Sequence, residues 1–266
     1  MTSALVPDDG LGERLTLLDV SKRSDCEADG HVEAATDLEP RRTRFLRRRR
    51  GLPANALAIT LPDGTDHLVT YEVAEQMRLL MARAKVERNL QCLAITSTVA
   101  GEGSSYVAKS LATVLAHDSG LHVCLVQFNW DEAGAEERAN DIKIVGITAD
   151  GREDTAKRIT VVTSGEVAPL QRSLFATSDS LNDDIEAFRE SFDVVILDLP
   201  AVASHTGVLS LSEYADRCLL VARQGAAPVA KVRAAMDDLG RDYLAGVVLN
   251  HADFDTPNWL MGITGS

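Results

Sequence analysis

From Tyr71 onward the apolar residues fall into two alternating rhythms; before about residue 68 they follow neither. In VAEQMRLLMARAKVE, Val73, Met77, Leu80 and Met81 recur at helical spacing between Arg and Glu, which predicts an amphipathic helix over 73–87. The run QCLAIT predicts a buried strand. SYVAKSLATVLAHDSG then predicts a helix whose Val107, Leu111, Val114 and Leu115 share a face and whose Gly120 ends it. HVCLVQF and RITVVTSG read as further strands, and SLNDDIEAFRESF as a helix over 180–192 with Ser180 and Asp183 in a capping arrangement. DVVILDLP, ADRCLLVARQG and LAGVVLNHAD predict three more strands, with the helix VAKVRAAMDDLG ahead of the last. Continuous Val, Leu and Ile runs alternating with amphipathic helices predict an α/β fold, a doubly wound, mostly parallel sheet with helices on both faces. Ligands of such sheets gather at the carboxyl ends of the strands.

Residues 1–68 mix Pro, Gly, Asp, Arg and Ser without a sustained period, the composition of a largely disordered tail, and residues 69–266 are expected to form the folded domain. Within the tail, LTLLDVSKR could form a turn or two of helix and LAITLP a short strand. The formal net charge of −13 argues against a nucleic-acid binder, because such a surface repels a phosphate backbone. Bases are concentrated in the run Arg41 to Arg50, which as a solvated segment does nothing further. Its functional reading is contact with anionic lipid headgroups or with an acidic face of a partner. The four cysteines, Cys26, Cys92, Cys124 and Cys218, show no CxxC pairing, and three lie in apolar runs, so buried thiols in a reducing compartment are expected. With no signal-peptide pattern and no long apolar stretch, the expected location is cytoplasmic.

The chemistry concentrates in TSTVAGEGSSYVAKS, which directly follows the QCLAIT strand. Strand, glycine loop and helix in that order form a phosphate-binding context. Gly101 and Gly103 let backbone N–H groups approach an anion, the helix start adds its positive end, and Ser105 stands where a magnesium-ligating hydroxyl belongs. The preceding position, where a P-loop carries lysine, is Ser104.

From about Tyr71 to Asp253 the sequence resembles the cytoplasmic P-loop domain of bacterial protein-tyrosine kinases, which are coupled to polysaccharide co-polymerases in capsule and exopolysaccharide export. ITSTVAGEGSSYVAKSLATVLAHDSGLHVCLV is similar to their Walker A strand, loop and helix, FDVVILDLPAV to their Walker B segment and AGVVLN to their last core strand. The resemblance implies a P-loop NTPase-like fold, with Gly101, Glu102, Gly103, Ser104, Ser105, Asp198 and Asn250 as the nucleotide-site positions. The departures are systematic. The family's Asp-Ala-Asp motif aligns with Gln127-Phe128-Asn129, and its aspartate after Walker B falls near Thr206-Gly207. HADFDTPNWLMGITGS has no tyrosine where the family clusters its phosphorylation sites. The family's oligomerising Glu and two Arg become Glu75, Arg78 and Met81.

An amide neither takes a proton at neutral pH nor brings charge to a hard cation, so little or no kinase activity is expected and no residue is assigned a catalytic role. The expected cofactor is none, or weakly held ATP or ADP with Mg2+. The leading expectation is a scaffold or regulatory subunit of polysaccharide biosynthesis and export. Its partner would be a membrane co-polymerase or an active kinase subunit, with self-association and peripheral attachment to the inner membrane alongside. A weakly active autokinase or ATPase is the alternative; a ParA/MinD-like positioning ATPase is more remote, since it needs the loop lysine. Bland readings stand beside these: the loop as a tight turn, Asp198 as a buried acid bonded to Ser105, Asn250 as a turn residue. His205 is expected to be an exposed loop histidine without a partner, and Lys109 to point away from the loop.

Overall fold

A computed structural model describes residues 55–61, 63–84, 90–128, 130, 137–147, 153–205 and 207–251. The segments LTLLDVSKR, Arg41 to Arg50 and HADFDTPNWLMGITGS, apart from His251, lie outside the described residues, as do Cys26, Asn129 and Thr206. The chain opens with a hairpin of β1 (Leu57–Thr60) and β2 (Asp66–Val69), followed by α1 (Tyr71–Ala84), β3 (Cys92–Ser97), α2 (Ser104–Ser119) and β4 (Val123–Gln127). A second hairpin, β5 (Glu137–Ile147) and β6 (Glu153–Ser164), precedes α3 (Arg172–Ala176) and α4 (Asp179–Ser191). Then come β7 (Val194–Asp198), α5 (Gly207–Ser212), β8 (Arg217–Arg223), α6 (Val229–Leu239) and β9 (Leu244–Asn250).

Among the described residues, nine strands join one sheet in the order β2-β1-β5-β6-β4-β7-β3-β8-β9. From β6 to β9 every neighbouring pair is parallel, while β5, β1 and β2 extend the sheet antiparallel. The fold is therefore α/β with a mostly parallel sheet, as the alternation of runs predicts, and it matches the P-loop NTPase-like fold that the family resemblance implies. Each central strand divides its side chains between two cores, because successive residues face opposite sides. Leu93 and Ile95 of β3, Leu125 of β4 and Ile196 of β7 pack with α1 and α2 on one face. Cys92, Ala94, Val126 and Leu197 pack with α4, α5 and α6 on the other. Burial pushes the thiols of Cys92 and Cys218 up to about 12, and Cys92, Cys124 and Cys218 are unlinked.

Several boundaries differ from expectation. LAIT forms the short strand expected of LAITLP, but it belongs to the sheet, ahead of residue 69, because it closes with DHLV on a turn in which Asp63 accepts from Thr65 at 2.7 Å and Gly64 takes φ 82°. The N-cap of α4 is Ser178, not Ser180: its Oγ accepts from the Leu181 amide at 3.3 Å. Strand β5 carries a period-two signal that sequence reading passed over, with Ile142 and Ile144 buried and Asp141 and Lys143 exposed. The short helices α3 and α5 span too few residues to show a period.

Two polar ties fix the frame. Asp216 Oδ2 accepts from the Gln91 and Cys92 amides at 2.8 and 2.7 Å, and Arg189 Nη1 donates to its Oδ1 at 3.0 Å, which anchors the start of β3. Arg78 of α1 joins Glu75 and Asp118, both at 2.5 Å, tying α1 to the end of α2. Met81, at the third position of that set, is buried in the core. Among the described residues no helix is long and apolar enough to cross a membrane.

Candidate functional site

Strand β3 runs between β7 and β8, so the loop after Ser97 emerges from the middle of the sheet. Gly101 and Gly103 take φ 85° and 96°, values that a residue with a Cβ rarely adopts. Gly103 caps α2, its carbonyl accepting from the Val107 amide at 3.0 Å. A Cβ on Gly103 would lie 2.3 Å from Asn250 Nδ2. That amide instead donates to the Glu102 carbonyl at 2.9 Å. The Glu102 side chain turns inward and is fully buried; Oε2 accepts from the Val99 amide at 2.9 Å and Oε1 from the Arg223 amide at 3.3 Å. The loop is thus bolted from behind to the ends of β8 and β9.

Asp198, the last residue of β7, forms the floor. Ser105 Oγ donates to its Oδ1 at 3.0 Å, and Gln127 Nε2 donates to its Oδ2 at 3.5 Å. Burial pushes the carboxyl up to about 6, opposed by the Ser105 bond, the charge of Lys109 and the Gln127 bond. The charge of Lys109 acts on both Asp198 and His67, while Lys109 is not among the residues lining the cleft beside the loop. It follows Ser105 by four residues, which puts the two on one helix face, and helical side chains lean toward the N-terminus. Ser104 Oγ reaches Ser97 Oγ at 3.5 Å.

The chain after Asp198 runs alongside the loop, with the Val202 amide donating to Ser97 O at 2.8 Å and the Ala203 amide to Thr98 O at 3.1 Å. Between the two lies a cleft of about 280 Å³. Its lining includes Gly101, Ser104, Ser105 and Asp198 together with Phe128, Trp130, Pro200, Ser204 and His205. His205 is half-buried and partnered, contrary to the exposed histidine expected: Arg172 Nη1 lies 2.8 Å from its Nδ1. Arg172 is itself buried, donating from Nε to Val167 O at 3.0 Å and from Nη2 to Trp130 O at 2.9 Å.

Of the positions assigned from sequence, Gly101, Ser104, Ser105 and Asp198 meet in the cleft, whereas Glu102, Gly103 and Asn250 form the support behind it. Sequence reading missed Trp130, which lines the cleft, and Arg172, which bonds the Trp130 carbonyl and lies against His205. A tryptophan just after a strand and an arginine in PLQRSLF carried no spacing signal, because α3, β4 and the turn after β7 approach only in the fold.

The residues fit phosphate better than metal. Backbone N–H groups at a glycine loop and a helix start suit an anion. A hard cation needs carboxylate oxygens, and beside Asp198 an uncharged amide points its N–H at the carboxylate.

No protein-family model matches the sequence. The tyrosine-protein kinase CpsD of Streptococcus agalactiae serotype III is 30% identical over 172 residues, covering 59% of this chain and 73% of that protein. The chain belongs to the bacterial tyrosine-protein kinase family. Tyrosine-protein kinase YwqD of Bacillus subtilis is 26% identical over 222 residues, 77% of this family member and 90% of YwqD. The succinoglycan biosynthesis transport protein ExoP of Rhizobium meliloti is 25% identical over 177 residues, 61% of this tyrosine-kinase relative and 22% of ExoP. Among solved structures, the chimerical protein CapA2B2 superposes with TM-score 0.58 at 19% identity, covering 79% of this chain and 99% of that one. The kinase domain of Escherichia coli ETK gives 0.54 at 20% identity, covering 73% and 81%. These superpositions establish the shared fold.

Proposed function

We propose that this tyrosine-kinase family member is a non-catalytic scaffold or regulatory subunit in bacterial polysaccharide biosynthesis and export. Its partner is a membrane co-polymerase or an active kinase subunit. The relatives named as a succinoglycan transport protein and as tyrosine kinases support the pathway. One observation supports the loss of catalysis: the amide of Gln127 faces Asp198 where phosphoryl transfer calls for a second carboxylate to assist the metal or act as base. Uncharged Ser104 adds nothing to neutralise phosphate oxygens. Removing one such group commonly costs a hundredfold or more in rate, and the charges are missing at several places together.

A weak autokinase or ATPase is the second reading, favoured by the charge of Lys109 acting on Asp198. Purified full-length chain with ATP and Mg2+ separates them by phosphate release and tyrosine phosphorylation. No turnover above an Asp198→Ala control is expected. Turnover that disappears in Asp198→Ala or in Lys109→Ala overturns the scaffold reading in favour of the enzyme.

A further inference from the structure

The two edges of the sheet are finished differently. Strand β2 at one edge spans four residues, carries Asp66 and His67, and its Leu68 carbonyl accepts from the Tyr106 hydroxyl at 3.4 Å. Strand β9 at the other spans seven residues, LAGVVLN, with no charge and no proline. Among the described residues it pairs only with β8, so its outer N–H and C=O groups have no described strand beside them. Val248 packs toward the core that holds α1 and α2; its neighbours Val247 and Leu249 therefore point to the opposite face, where they are 44% and 51% exposed. A long, uncharged, apolar edge invites pairing with another strand, and folded proteins cover such edges.

The sequence itself supplies a cover. Strand β9 ends at Asn250, where His251 takes φ 50° and its amide donates to Asn250 Oδ1 at 3.0 Å, turning the chain. Asp253, Asp255 and Pro257 come next, and then the uncharged run NWLMGI with Trp259, Leu260, Met261 and Ile263. Seven residues, 251–257, separate β9 from that run. A parallel return needs a crossover of about a dozen residues or more, so a connection of this length permits only an antiparallel neighbour. We infer that residues 258–263 of this same chain add to the open edge of β9 as an antiparallel strand, their apolar side chains covering Val247 and Leu249. Pro257 stands at the entry to the added strand, where a missing N–H is tolerated. Because Asn250 closes β9 and its side chain holds the Glu102 carbonyl at 2.9 Å, the added strand also braces the support behind the glycine loop. None of this depends on whether the protein is catalytic.

The test is hydrogen–deuterium exchange of the full chain, read peptide by peptide. Amides of 258–263 should exchange about a hundredfold or more slowly than a free peptide of the same sequence. Val247→Asp combined with Leu249→Asp, both at exposed positions, should remove that protection while peptides from β3 and β7 stay unchanged. Leu260→Pro, within the added strand, should speed exchange over 247–250 by about tenfold. Leu79→Asp, at a position 45% exposed on α1, should change neither segment. Exchange of 258–263 at the free-peptide rate, or protection that the paired aspartates leave intact, overturns the inference. If the paired aspartates loosen β3 as well, Leu260→Pro decides alone, and unchanged exchange over 247–250 in that variant overturns it. Protection lost together with a dimer on about hundredfold dilution overturns it too, because a second copy then covers the edge.

Discussion

At the residue scale, two buried titratable groups on either side of α2 work against one another. Burial lifts Asp198 to about 6, so between about 4 and 6 the folded state binds its proton more tightly, and this contribution to stability falls as pH rises. Burial and the charge of Lys109 lower His67, hydrogen-bonded to Ser110 at 3.0 Å, to about 4. The folded state is then the weaker proton binder between about 4 and 6.5, so this contribution rises with pH. Each is worth on the order of 3 kcal/mol across its window. Urea unfolding from pH 4.5 to 7.5 should show Asp198→Asn gaining stability relative to wild type as pH rises, and His67→Gln losing it. Parallel profiles for all three proteins would contradict this. Gly103 supplies a second residue-level prediction. Gly103→Ala strains a φ of 96° and drives a Cβ into Asn250, costing about 2 kcal/mol or more in urea midpoint analysis. Adding Asn250→Ala should remove the clash and leave only the backbone strain and the lost tie to Glu102.

At the scale of elements, continuous runs were the legible part. QCLAIT and DVVILDLP became β3 and β7 within a residue or two, since strands buried on both faces leave no polar position to blur them. The glycine loop was legible because its spacing is local and follows a strand, whereas Asp198 was picked out by the resemblance of FDVVILDLPAV to a Walker B segment. His205 was misread because its partner Arg172 sits thirty-three positions away and approaches only when α3 packs beside the cleft. Asp216 was passed over too, a polar residue at a strand start that holds two amides and an arginine. Asp216→Ala should therefore cost about 2–3 kcal/mol, measured by urea unfolding, because two strand-entry amides lose their acceptor. A loss below about 0.5 kcal/mol would mean that water replaces the carboxylate.

At the scale of the molecule, the domain boundary is the testable quantity. The β1 and β2 hairpin covers part of the core through Leu57, Ile59 and Val69, and β1 pairs with β5 at Leu57 and Ala58. A truncation beginning at Tyr71 should melt well below one beginning at Asn55, by ten degrees or so if a few kcal/mol of apolar burial are lost, as differential scanning calorimetry would show. Equal melting temperatures would place the folded unit after residue 69. The bolts behind the glycine loop have a consequence in time as well as in energy. With Glu102 holding Val99 to Arg223, and Asn250 holding the Glu102 carbonyl, the loop is set before any anion arrives. Association would then proceed in one diffusive encounter with no slow reshaping step, its observed rate climbing linearly with ligand concentration and never reaching a plateau.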